Sequence, residues 1–172
     1  NMIHRLRREG LRFSHVVFDA GYGHLPWLLR ALEGEGETFL AEIHADQAIY
    51  LSDPAPAVPV RQSTRGKTPC RLQAQITPLT VTAWAMTQPA SRWCRLSVRE
   101  GEKGAVVADY LKQRVWLWDG VEQQARCWHL LVRREIGGTK LKFCLANAKP
   151  EASLRRLAED RKSTRLNSSH RP

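Results

Sequence analysis

At 172 residues and 42% hydrophobic content, the chain is long enough for one domain with a real core and too apolar for a disordered polymer. No apolar run approaches the length of a membrane span, and the first residues lack the apolar centre of a signal peptide, so the expectation is a soluble, cytoplasmic protein with no membrane partner. A formal charge of +10 points to an acidic partner, while four widely spaced cysteines without a Cys-x-x-Cys pair argue against a disulfide framework and for free thiols.

In chain order, Met2 to Leu11 sets Ile3, Leu6 and Leu11 at near-helical spacing among basic and polar residues, with Gly10 as the stop. Val16-Val17-Phe18 is a β-favouring run that delivers Asp19 to its carboxyl end, and Gly21, Tyr22 and Gly23 then turn the chain sharply. Such a carboxylate suits a metal ligand: the glycines let backbone pass close to a bound partner, and Tyr22 adds a flat ring beside it. The same residues also suit a turn former or helix cap, and the pattern alone leaves both open. His24 to Glu35 reads as a helix with Leu25, Leu28, Leu29 and Leu32 on one face, Pro26 in the first turn and Gly34 and Gly36 at the end. Thr38 to His44 follows as a second strand. Helix, strand, helix, strand predicts an α/β unit with a parallel sheet, whose sites lie beyond the carboxyl ends of the strands.

Asp53 to Pro59 is a proline-rich connector, after which the pattern turns mainly β. Arg71 to Ile76 alternates weakly and Trp93 to Val98 more clearly. Val115 to Trp118 leads into a turn at Asp119-Gly120, and Arg126 to Glu135 pairs across Gly137-Gly138 with Lys140 to Leu145 as a hairpin. Short helices are expected at Thr80 to Gln88 and Val106 to Gln113, and a later one over Leu154 to Asp160. Residues 54–99 carry Arg61, Arg65, Lys67, Arg71, Arg92, Arg95 and Arg99 without one Asp or Glu. An acid-free basic block of this length suits a polyanion such as DNA.

The combination and order of these segments resembles the insertion-sequence transposases of the DDE class, whose catalytic core has the ribonuclease-H-like fold. Asp19-Ala20-Gly21-Tyr22-Gly23 matches the Asp-x-x-Tyr-Gly that carries the second of three acidic residues in that family. Leu28 to Leu32 and Phe39 to Ile43 look like its next helix and strand, Arg99 to Gly104 like its Gly-rich basic turn, and Trp128 to Arg134 with Lys142 to Asn147 like its paired late strands. The resemblance spans about residues 1 to 161. It implies an α+β protein with a partial ribonuclease-H-like core over 1–53, a β-rich basic insertion over 54–125, and late strands with the start of a Glu-bearing helix over 126–161.

The resemblance also implies chemistry. Two divalent ions about 4 Å apart, Mg²⁺ or Mn²⁺, would serve in-line phosphodiester cleavage and joining at transposon-end DNA, with Asp19 as a catalytic metal ligand, Gly21, Tyr22, Gly23 and Arg161 as its neighbours, and Arg61, Arg65, Lys67, Arg71, Arg92, Arg99 and Lys103 as DNA contacts. A bacterial, nucleoid-associated homo-oligomer is the implied state. The family's first Asp would precede Asn1, and its Glu, four residues past Arg161, would fall at Arg165. The tail from Lys162 breaks the helical pattern and looks like adapter read-through, so the chain reads as an internal fragment inactive on its own. The alternative is a non-catalytic remnant of the same fold that binds nucleic acid.

Five of the six tryptophans lie in or after the basic block, suited either to base stacking or to the core of the β-rich segment. His15, His24, His44 and His129 show no catalytic spacing. Cys127 and His129 sit two apart, as residues sharing one face of a strand do.

Overall fold

The structure is a computed structural model that describes residues 2–62, 66–101 and 104–163. A first helix, α1 (Met2–Arg8), stops where Gly10 takes φ 84°, a left-handed conformation that glycine adopts at no steric cost. Strand β1 (Val16–Phe18) leads into a single helical turn, α2 (Ala20–Gly23), and then α3 (Pro26–Gly34). The helix expected from His24 starts instead at Pro26, and His24 closes α2, a helical turn where only a sharp turn of the chain was expected. Strands β2 (Phe39–Ile43) and β3 (Ala48–Ile49) follow, and an irregular stretch leads to β4 (Leu79–Thr80) and α4 (Val81–Met86). Thr80 caps α4 by accepting the Ala83 N–H at 3.1 Å. The weakly alternating Arg71 to Ile76 forms no strand; its one bridge joins Gln73 to Ala57.

The long antiparallel strands β5 (Cys94–Gly101), β6 (Gly104–Leu117), β7 (Arg126–Glu135) and β8 (Leu141–Ala146) precede the last helix, α5 (Leu154–Ser163). The helix expected at Val106 to Gln113 is instead the middle of β6. That strand is central, hydrogen-bonded to β5 on one side and β7 on the other, and it buries Ala108 and Tyr110 on one face and Leu111 on the opposite one. Burial on both faces removes the polar/apolar alternation that marks a strand. Helix α5 continues through Lys162 and Ser163, past the expected break; the expected tail beyond Ser163 lies outside the described residues.

Six of the eight described strands form one mixed sheet in the order β1-β2-β8-β7-β6-β5, so β1 is an edge, and β3 pairs with β4. The expected parallel pairing is found between β1 and β2, with Phe18 level with Ala41, and every other pair in this sheet is antiparallel. Period-two alternation sends Trp128, Leu130 and Val132 of β7 to one face and Leu131 to the other. On the first face α3 and α4 add Leu29, Leu32, Val81 and Trp84; on the second α5 adds Leu157 and Ala158. Each fully buried leucine of this kind contributes about 1.5–3 kcal/mol. An amide clamp joins distant parts of the chain: Asn147 Oδ1 accepts the Phe39 N–H at 2.7 Å, and Asn147 Nδ2 donates to the Glu37 carbonyl at 2.9 Å. Arg7 reinforces this corner by donating to both Glu37 oxygens, at 3.0 and 2.7 Å.

Candidate active site

The end of β1 is short because the chain leaves it at once. Asp19 keeps an extended backbone (φ −77°, ψ 176°), and its Oδ1 accepts the Gly21 N–H at 3.0 Å while its carbonyl accepts from Tyr22 and Gly23. This is an N-cap: one of the orphan donors of α2 is satisfied by the side chain. The carboxylate is exposed, and its second oxygen makes no hydrogen bond among the described residues. Capping therefore occupies one oxygen and leaves the other for a ligand, so the two readings of Asp19 are compatible.

Gly23 is buried against β2. A Cβ there would lie 1.8 Å from the Glu42 carbonyl oxygen and 2.8 Å from its carbon, so only glycine lets α2 seat on the strand. At Gly21 a Cβ would meet Asp19 Oδ1 at 3.2 Å, close to the carboxylate itself. Tyr22 is exposed, with its ring centre 6.4 Å from that of Phe18.

The parallel register ends with Phe18 level with Ala41, so Asp19 and Glu42 are the next residues along their two chains. Glu42 is engaged: Arg161 Nη2 of α5 donates to its Oε1 at 2.6 Å, and the arginine side chain is only 7% exposed. Arg161 thus comes to the sheet end that carries Asp19, and its partner is Glu42. The same face holds Tyr110, fully buried, whose hydroxyl finds no partner among the described residues and is pushed up by burial. Burial likewise drives the Cys144 thiol up to about 12. His24 and His44, following α2 and β2, bring their ring centres to 5.7 Å.

Behind α2, a cavity of about 90 Å³ is walled by Leu29, Leu117, Trp118 and Trp128. Its rim is a charge network that sequence reasoning missed. Arg30 pairs with Asp119 and Glu122, Arg126 pairs with Glu122 and Glu33, and the Trp128 indole donates to Glu33 at 2.6 Å. Burial pushes the Asp119 carboxyl upward, but hydrogen bonds from Arg30 and the Val121 backbone outweigh it and hold it below the usual carboxylate range. No local signal marks this network, because its members are brought together from α3, the β6–β7 connection and β7.

The expected DNA contacts are dispersed. Arg61, Lys67 and Arg71 are exposed on the irregular stretch between β3 and β4, where Arg61 donates to the Gly66 carbonyl at 3.3 Å. Arg92 donates to Gln113 at 2.9 Å and lies over the Trp84 ring, while Arg95 of the same block is neutralised by Asp109 at 3.0 Å. Arg99 is placed on β5 by its backbone only, and Arg65 and Lys103 lie outside the described residues. Of the tryptophans, Trp84 and Trp128 are core, Trp93 stacks under Arg134 at 4.3 Å, and Trp118 donates to the Glu122 carbonyl at 2.7 Å. Trp27, outside the basic block, is 60% exposed. His129 is buried and bonded through Nε2 to the Lys149 carbonyl at 2.9 Å, with burial holding its imidazole below the ordinary histidine range.

Among the described residues no group of three or more His, Cys, Asp or Glu side chains is arranged to hold a metal ion. Asp19 fits as one hard oxygen ligand of the kind Mg²⁺ prefers, but a two-ion centre needs further carboxylates that these residues do not bring to it. No described helix is long and apolar enough to cross a membrane.

A mixed α/β arrangement built on one six-stranded sheet is compatible with a nuclease fold. The family model of the DDE superfamily endonucleases matches residues 1–105, from α1 to the first residues of β6, and the chain belongs to that family. Comparison with curated proteins and with solved structures gave no match.

Proposed function

We propose that this chain is part of a DDE transposase that cuts and joins DNA at the ends of an insertion sequence, with Asp19 as one ligand of a pair of Mg²⁺ or Mn²⁺ ions. The observation that carries the reading is the free, exposed oxygen of Asp19 at the carboxyl end of β1 within the family-matched stretch. The sheet around it is read as a partial ribonuclease-H-like core, with 54–125 as the basic insertion and 126–161 leading to the Glu-bearing helix. When bound, the ions would activate an attacking hydroxyl and stabilise the leaving oxygen. The chain's own residues orient the site: Gly23 seats α2 on β2, the Gly21 N–H fixes the carboxylate, and the Arg161–Glu42 pair holds α5 over the same sheet end. Arg61, Lys67, Arg71 and Arg92 supply sequence-independent attraction to phosphates. A homo-oligomer acting on paired DNA ends in a bacterial cytoplasm follows from the same reading.

Paramagnetic Mn²⁺ tests it directly. The amide signals of Ala20 to Gly23 and of the adjoining end of β2 should broaden at Mn²⁺ concentrations that leave the far strand β5 untouched, and Asp19→Asn should abolish the effect. Selective broadening that persists in Asp19→Asn would remove Asp19 from the metal site. The second reading, a non-catalytic nucleic-acid-binding remnant, is supported by the exposed Arg61, Lys67 and Arg71 on the irregular stretch between β3 and β4. It predicts salt-sensitive DNA retention without any Asp19-dependent metal binding.

A further inference from the structure

The two histidines beside the Asp19 loop carry a site of a different kind. His24 is the residue that closes α2 and His44 the residue that follows β2, and both are exposed. Their ring centres stand 5.7 Å apart with planes tilted by 50°. With metal–nitrogen bonds of about 2.0–2.1 Å, two imidazoles on one ion place their ring centres roughly 5–6 Å apart, the separation these two rings already have. A second observation concerns the donor. His24 Nδ1 lies 3.1 Å from the Ala20 carbonyl oxygen, which can only accept, so Nδ1 carries the proton and Nε2 keeps its lone pair. Fixing a ligand histidine by a hydrogen bond from its other nitrogen to a carbonyl is the usual way its tautomer and orientation are set.

We propose that His24 and His44 form a bidentate site for a nitrogen-preferring divalent cation such as Zn²⁺ at the rim of the Asp19 loop, with its remaining positions open to water or a phosphate oxygen. Imidazole pairs select Zn²⁺ and its neighbours over Mg²⁺, whose oxygen preference directs it to carboxylates. The site stands on ring geometry and tautomer, and does not depend on Asp19 being catalytic.

The test is a titration of the isotope-labelled chain with ZnCl₂, followed by the imidazole nitrogen and carbon-bound proton signals of the histidines. His24 and His44 should shift together with one-to-one stoichiometry at sub-millimolar Zn²⁺, with Mg²⁺ in excess having no effect. His24→Ala and His44→Ala should each weaken binding by at least about tenfold, since a single exposed imidazole holds the ion poorly. Asp19→Asn should leave it within about twofold. If the two rings form only an aromatic contact, no joint shift will occur and the proposal fails. It also fails if either histidine variant retains wild-type affinity, or if Asp19→Asn abolishes binding, which would assign the ion to the carboxylate.

Discussion

Replacing Gly23 by alanine adds one carbon at the point where α2 rests on β2. That carbon would fall 1.8 Å from the Glu42 carbonyl oxygen and 3.3 Å from the Ala41 Cβ, so strand or turn must yield by roughly 1.5 Å. The neighbour is backbone of a strand hydrogen-bonded on both sides, which cannot swing aside as a side chain would. Alanine in a helical turn returns up to about 1 kcal/mol of propensity, against about 3 kcal/mol for overpacking of this severity. The net loss of about 2 kcal/mol lowers Tm by about 4–8 °C for a chain of this size. Gly34→Ala is the matched control, since nothing lies within 4 Å of its Cβ and α3 only gains propensity. Urea unfolding monitored by tryptophan fluorescence gives both values. A Gly23→Ala protein within about 0.5 kcal/mol of wild type would refute the claim that this glycine is required by the strand carbonyl.

Arg161→Met should destabilise by about 1–3 kcal/mol, because it leaves Glu42 without the partner that draws α5 onto the sheet; in urea titrations the further change Glu42→Gln should then cost less than it does in wild type. Asp109 is held below the usual carboxylate range chiefly by its hydrogen bond from Arg95, helped by Arg134. A depressed folded value means that stability is present above the unfolded pKa of about 3.9 and is lost as the pH falls through the folded one, so Asp109→Asn should flatten thermal stability below about pH 4. Cys144, with its thiol raised to about 12, should resist a disulfide reagent at pH 8 until denaturant is added, whereas the exposed Cys70 and Cys94 should react in the native state. Rapid native labelling of Cys144 would contradict its burial beneath α5.

What the sequence made legible was local. Val16 to Phe18 announced a strand by residue type, the leucines of α3 by their spacing, and the β7–β8 hairpin by Gly137, which adopts φ 73° at the turn. Asp19 was legible as an acid following a β run and preceding two glycines, a pattern that equally marks the helix cap it forms. Gly23 was found for a different reason than the one that holds: its close approach is to β2, not to an outside partner. The centre of β6 was misread because a strand buried on both faces carries apolar residues at Val106, Val107, Tyr110 and Leu111, a spacing a helix also shows. The pairings of Arg161 with Glu42 and of Arg30 with Asp119 join residues far apart in sequence, and no short-range pattern encodes them.

The amide of Asn147 has a temporal consequence. It completes the join between the start of β2 and the end of β8 across 108 residues, and β2 has its antiparallel mate only once β8 exists. The sheet neighbour of β1 is β2, and β2 gains its second partner only from β8, which lies far along the chain. Contacts of such sequence separation slow folding. The Asp19 loop, seated on β2 through Gly23, is therefore secured only when that distant pairing forms, and a chain cut before Asn147 would leave β2 as an unpaired margin open to association with other nascent chains.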